Sequence, residues 1–354
     1  IPSIGFEINP FSRFLSKVKT RIYTKDDIAS FQEHIDKINN LSGKSSISPP
    51  KMSMIDRLFE PYILDNLLLF KEYILSIPDQ DSKIRDLLML GWLAILEDLS
   101  NYRKAGNGLK FKSPRNRKIL LDRFLNKPII ARRKLIQQYK IMLKDLEETL
   151  SIENKIEPTI HETSVSALDM NLFIPNNSVS ISIFSPTYAN CFDYVEIYKV
   201  ELWMGDFVTK YPDLKVLRQR SLRSHLNMDL GGVSYHNPSI EEVLSYISEE
   251  RLWNKKILLM IRGYFEDMRN LFIAHKDILN EHGRMVIVVS NSAYDNVVIP
   301  TDLIFCEIAE DVGFRNTRID VVRPEVTSSQ QFAELNRRGI NRYMRESILH
   351  FEKA

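Results

Sequence analysis

Apolar positions along this chain follow two different rhythms. From about residue 25 to residue 157 they recur at three- and four-residue spacing, as in residues 55–77, where Leu58, Phe59, Ile63, Leu64, Leu67, Leu68 and Tyr73 mark one stripe. Residues 81–99 and 131–150 repeat that rhythm, which predicts amphipathic helices. Between them, residues 101–118 carry Gly106, Gly108 and Pro114 and read as a loop. From residue 160 onward, short β-rich runs at 179–183, 285–290 and 346–351 alternate with helical stretches at 194–204, 240–247, 255–280 and 301–312. Before the helical zone lie a short strand over residues 3–8 and a helix opening at Pro10, a residue suited to a first helical turn. Strands separated by helices imply parallel pairing in a doubly wound α/β sheet. Residues 1–24 and 159–354 are therefore expected to form the sheet domain. Residues 25–158 form a helical insertion that a sheet does not itself require, as recognition elements and lids do.

Composition narrows the class without naming a function. The chain is 44% hydrophobic and 27% charged over 354 residues, an ordinary globular balance, and its net charge is +2. No overall polycation argues for nucleic acid, so any such case rests on local clusters. Two cysteines, Cys191 and Cys306, lie far apart and form no zinc-ligand spacing, which suggests a reducing, cytoplasmic setting and no metal. No apolar run reaches the roughly 18 residues of a membrane span.

Three motifs carry the chemistry. Ser185-Pro186-Thr187-Tyr188 directly follows the strand ending at Phe184 and continues through Asn190, Asp193-Tyr194 and Lys199-Val200-Glu201-Leu202-Trp203. Gly5-Phe6-Glu7-Ile8-Asn9-Pro10 places a carboxylate at the end of the first strand, where an acid can accept from two vicinal hydroxyls. The run from Arg262 to Met268, the turn reaching Gly283 and the strand 285–290 form the third. Together, over residues 1–20 and 160–354, the sequence resembles the S-P-P-Y type of DNA amino-methyltransferase, which acts on cytosine N4 or adenine N6. The resemblance implies a Rossmann-like class I methyltransferase sheet and S-adenosylmethionine as methyl donor. It places Ser185, Pro186 and Tyr188 in the catalytic turn, and Glu7, Asn9 and Pro10 at the cofactor ribose.

The sequence departs from that family at three points. Thr187 stands where the family has its second proline. Ser166 occupies the offset of an expected acid, with Asp169 close enough to serve as a substitute. The glycine-rich cofactor motif is expected before Ile1, on an N-terminal segment or a separate chain. DNA as substrate calls for cations against phosphate. Candidates are Arg103, Lys104, Lys110, Lys112, Arg115 and Arg117 in the glycine-containing loop, and the cluster Arg218, Arg220 and Arg223. A solvated turn accounts for the loop charges equally well. Two alternative readings stay open: a non-catalytic or split DNA-binding subunit of the same fold, and an RNA amino-methyltransferase.

Overall fold

The computed structural model describes residues 1–106, 108–113, 130–152, 155–161, 165–324 and 334–354. Its contacts divide the chain into two compact units, Ile1–Thr163 with Tyr194–Leu217, and Ser164–Asp193 with Arg218–Ala354.

The first unit is mainly helical. Its strand β1, Ile4–Gly5, leads into helix Pro10–Thr20, whose N-cap is the side chain of Asn9. Helices Lys25–Asn40, Ile55–Leu58, Pro61–Leu75, Ser82–Ala94, Leu96–Leu99 and Ile130–Thr149 follow. Thr24 and Asp27 form a reciprocal capping box at the first of these, which satisfies amides that the helix leaves open. Residues expected to be a loop instead fold into a hairpin of β2, Tyr102–Ala105, and β3, Gly108–Phe111. Gly106 turns the chain with φ +57°, a conformation that glycine adopts without steric cost. Strand β4, Thr159–Ile160, pairs in parallel with β1, so the helical stretch runs between two adjacent strands.

The helices bury one continuous apolar core. Trp92 is fully buried and donates its Nε1–H to the Leu67 carbonyl (2.9 Å). Tyr139 is also fully buried, donating to the Leu88 carbonyl (2.8 Å) and meeting Phe31 edge-on at 5.5 Å. Gly91 exists to admit that ring: a Cβ there would stand 2.6 Å from Tyr139 Cδ1 and 3.0 Å from Met142 Sδ. Alanine is a better helix former than glycine by about 1 kcal/mol. Overpacking a filled core costs about 1–3 kcal/mol. Gly91→Ala is therefore expected to lower the unfolding free energy in urea by about 0–2 kcal/mol, the overpacking cost less the helix-propensity gain, and a stabilised variant would contradict this packing.

The second unit holds a four-stranded sheet in the order β5-β6-β10-β9. These strands are β5 (Val179–Phe184), β6 (Leu279–Ser290), β9 (Phe314–Pro324) and β10 (Arg345–Lys353); a short ribbon of β7 (Ser292–Tyr294) and β8 (Val297–Ile299) stands apart. Parallel pairing holds for β5 and β6, whereas β10 runs antiparallel to both β6 and β9. β5, β6 and β9 thus share one direction, with β10 opposed between two of them. Alternating helices and strands do not fix the direction of a last strand that returns beside its predecessor. The helix Lys256–Ile278 buries Met260, Tyr264, Phe265, Met268 and Phe272, and the Phe272 ring meets Phe351 of β10 at 6.2 Å. Met285, Ile287 and Val289 of β6 are fully buried, with Leu349 and Phe351 opposite on β10, as the period of a half-buried strand requires.

Candidate active site

Strand β5 ends at Phe184, and its register is pinned from the helix side. Phe184 stacks on the His275 ring at 4.7 Å, and the Ser182 hydroxyl donates to His275 Nε2 (2.9 Å) while Nδ1–H donates to the Leu271 carbonyl (2.8 Å). The chain then leaves the sheet through Ser185, which is exposed, and Pro186, which is buried. Tyr188 is half-buried, and its hydroxyl donates to Glu346 Oε1 on β10 (2.9 Å). Arg323 of β9 pairs with the same carboxylate at 2.9 Å. The Tyr188 hydroxyl is therefore tied through Glu346 to β10 and, by way of Arg323, to β9. Thr187 Oγ1 is buried and finds no hydrogen-bond partner among the described residues.

Beyond the turn, Cys191 adopts φ +63° and is buried against Met260 Sδ and the Tyr294 hydroxyl, which donates to the Ala189 carbonyl (2.9 Å). Burial pushes its thiol up to about 11, so Cys191 is a packed thiol and no nucleophile at neutral pH. Asp193 is buried, which by itself raises its pKa. Hydrogen bonding from Asn227 (2.9 Å), with the charges of His225 and Arg218, outweighs burial and holds it below the usual carboxylate range.

The cofactor candidates fall in separate units. In the first, Glu7 Oε1 accepts from the Asn9 amide (2.7 Å). Burial raises the Glu7 pKa, against hydrogen bonds from the Asn9 and Ile8 amides. Asn9 Oδ1 accepts from the amides of Phe11 (3.0 Å) and Ser12 (3.4 Å), and Pro10 opens the helix. The Asn9 Nδ2 donor is buried and has no partner among the described residues. Phe6 stacks on His161 at 4.5 Å. In the second unit, Asp169 is exposed on the 3-10 turn Ala167–Leu172. No cluster of three or more metal-ligating side chains occurs among the described residues.

The basic candidates divide by their partners. Lys104 reaches Glu201 (2.5 Å), and Lys112 donates to the carbonyls of Glu97 (2.9 Å) and Ser100 (2.8 Å). Arg103 and Lys110 are exposed; Arg115 and Arg117 lie outside the described residues. Arg218 pairs with Asp193 (2.7 Å), and Arg223 is bound by Glu266 and Asp267, both at 2.6 Å. Arg220 alone of that cluster is exposed. Glu346, Arg323 and His275, which hold the turn in place, are not legible as site residues in the sequence. Each lies far from the motif along the chain: the pairing of β5, β6, β10 and β9 brings Glu346 and Arg323 there, and the helix Lys256–Ile278 brings His275.

No protein-family model matches the chain. It is 25% identical over 292 residues to the Type II methyltransferases M.AvaI of Nostoc sp. strain PCC 7120 and of Anabaena variabilis, a match covering 77% of this chain. It is 26% identical to the Type II methyltransferase M.BsoBI of Geobacillus stearothermophilus, covering all of this chain and 76% of that protein. A solved structure of a provisional DNA modification methylase from Thermus thermophilus matches at 13% identity over 53% of this chain and 52% of its own, with a TM-score of 0.26. No helix among the described residues is long and apolar enough to cross a membrane. The chain spans 60% of the length of the M.AvaI proteins. By sequence, this chain is similar to the Type II methyltransferases M.AvaI and M.BsoBI.

Proposed function

We propose that this chain transfers a methyl group from S-adenosylmethionine to the exocyclic amine of a DNA base, cytosine N4 or adenine N6. The observation that carries the reading is the turn Ser185-Pro186-Thr187-Tyr188 at the C-terminal end of β5, with Ser185 exposed and the Tyr188 hydroxyl tied to Glu346. In open α/β sheets ligands bind beyond the carboxyl ends of the strands. An exocyclic amine is a poor nucleophile because its lone pair is delocalised into the ring. The Ser185 hydroxyl and the Pro186 carbonyl accept hydrogen bonds from the amine and localise that lone pair, since proline retains its acceptor. Tyr188, held at its hydroxyl, presents a ring face to a base that must leave the duplex stack to be reached. Rate enhancement then comes from positioning and electrostatics, and cytosine N4 is preferred by family analogy.

The residues of the first unit fit the donor. Glu7 offers carboxylate acceptors, and the buried Asn9 Nδ2 offers a donor without a partner among the described residues, a complement to vicinal ribose hydroxyls. When bound, S-adenosylmethionine supplies an electrophilic methyl on its sulfonium. Asp169 is assigned to the same cofactor. In this reading residues 1–24 and 159–354 are the catalytic domain and residues 25–158 a DNA-recognition or lid insertion, which the β1–β4 pairing around that stretch supports. The test is transfer of labelled methyl to mixed-sequence duplex DNA, followed by nucleoside analysis to identify the methylated base. Ser185→Ala is expected to slow transfer about a hundredfold, the scale of losing one preorganised hydrogen-bonding group, with stability unchanged. A variant as fast as the parent, or no methylated base from the parent, sinks the proposal.

A further inference from the structure

The basic stretch after Asn101 is uniform in sequence, but the hairpin separates its cations into two kinds. Side chains of a strand alternate between its faces. The register opposes Tyr102 to Phe111, Arg103 to Lys110 and Lys104 to Leu109. On one face, Tyr102 is fully buried. Lys104 beside it lies over the Tyr198 ring at 4.7 Å and pairs with the buried Glu201 (2.5 Å), and its amide donates to Glu97 Oε1 (2.9 Å). Phe111, across from Tyr102, sits under the Arg57 guanidinium at 5.0 Å; Lys112, past the end of β3 and outside this alternation, caps the carbonyls of Glu97 and Ser100. This face is an anchor: losing Lys104 would strand a buried carboxylate, a costly outcome.

The other face carries Arg103 directly across from Lys110, both exposed and neither ion-paired among the described residues. Like charges directly opposed on a two-stranded ribbon destabilise it. No ion pair among the described residues offsets that repulsion, whereas a polyanion would. Cβ atoms of such a pair stand about 5 Å apart, and both side chains are long enough to address neighbouring phosphates. The hairpin also packs against helix Tyr194–Ile197, which follows the Ser185–Tyr188 turn in sequence.

We propose that the hairpin Tyr102–Phe111 is a phosphate grip for duplex DNA, with Arg103 and Lys110 as the contacts and Lys104 and Lys112 as positioning residues that hold it in place. The inference rests on the DNA reading above and assigns its contacts. The test titrates the full chain with mixed-sequence duplex DNA over a range of salt. Each phosphate contact contributes about 0.9 to the slope of log affinity against log salt. Arg103→Gln with Lys110→Gln is expected to reduce that slope by about 2. The affinity lost between about 50 and 200 mM salt should then shrink by roughly tenfold. Arg103→Lys with Lys110→Arg should restore the parent slope, because charge and not shape is the requirement. A double Gln variant with the parent slope overturns the grip while leaving DNA binding in place. A parent chain that fails to bind duplex DNA at low salt overturns both this assignment and the DNA reading.

Discussion

Arg223→Met is expected to lower the unfolding free energy of the Ser164–Asp193 and Arg218–Ala354 unit by about 3–5 kcal/mol, the range for removing one partner of a buried ion pair. Arg223 ties the segment after residue 218 to the helix Lys256–Ile278. Its Nε and Nη2 reach Asp267 Oδ1 at 3.0 and 2.6 Å, Nη2 also reaches Glu266 Oε2 at 2.6 Å, and Nη1 donates to the Leu230 carbonyl. Gly263 makes room for it, since a Cβ there would stand 2.8 Å from Arg223 Cδ. Burial alone would raise the Glu266 pKa. Hydrogen bonds from Ser234, Arg223 and the Tyr235 amide reverse that and hold it at about 2. Without the guanidinium, two adjacent and largely buried carboxylates share a site with no cation between them. A planar fork bridges both, which an ammonium does not reproduce, so Arg223→Lys should recover less than half of the loss. In a unit of this size each kcal/mol moves the melting temperature by about 2–4 °C, so a drop of roughly 10 °C is expected. A melting temperature within about 1 °C of the parent would show that the network contributes little net stability.

The second large effect is a loss of stability in mild acid through His275. The ring is buried at the junction of helix Lys256–Ile278 with β5, and burial pushes its pKa down to about 4. An imidazole in the unfolded chain titrates near 6.5. Above that value both states are neutral and the full stability is present. As pH falls below it the unfolded chain takes up a proton that the folded chain refuses, so stability declines until the pH reaches the folded value. The difference corresponds to about 3 kcal/mol, lost between about pH 6.5 and pH 4. Urea unfolding at stepped pH should show that decline. His275→Phe, which keeps a ring against Phe184, should flatten it across the same window. Parallel pH profiles for parent and variant would place the acid sensitivity elsewhere.

Periodicity makes most of the elements readable. The strand over 285–290 and the helix Thr301–Val312 are evident from apolar spacing alone, because burial of one face is a local pattern. The helix expected over 194–204 breaks at Tyr198 into Tyr194–Ile197 and Lys199–Met204, a one-residue interruption that periodicity does not register. The hairpin is hidden because glycines and charges mark turns whether or not the flanking residues pair.

What the sequence by itself determined is the alternation of elements, the apolar faces that drive them together and the Ser185-Pro186-Thr187-Tyr188 turn with its family resemblance. What tertiary structure decided is which charges are occupied. Arg218 and Arg223 face buried carboxylates while Arg220 faces solvent, and Lys104 is an anchor while Arg103 beside it is free of ion pairs among the described residues. The reason is physical: a cation's role depends on the carboxylates that distant segments bring within about 4 Å, where charge pairs interact strongly, and no local pattern encodes that distance. The Tyr188–Glu346 contact, 158 residues apart in sequence, exists for the same reason.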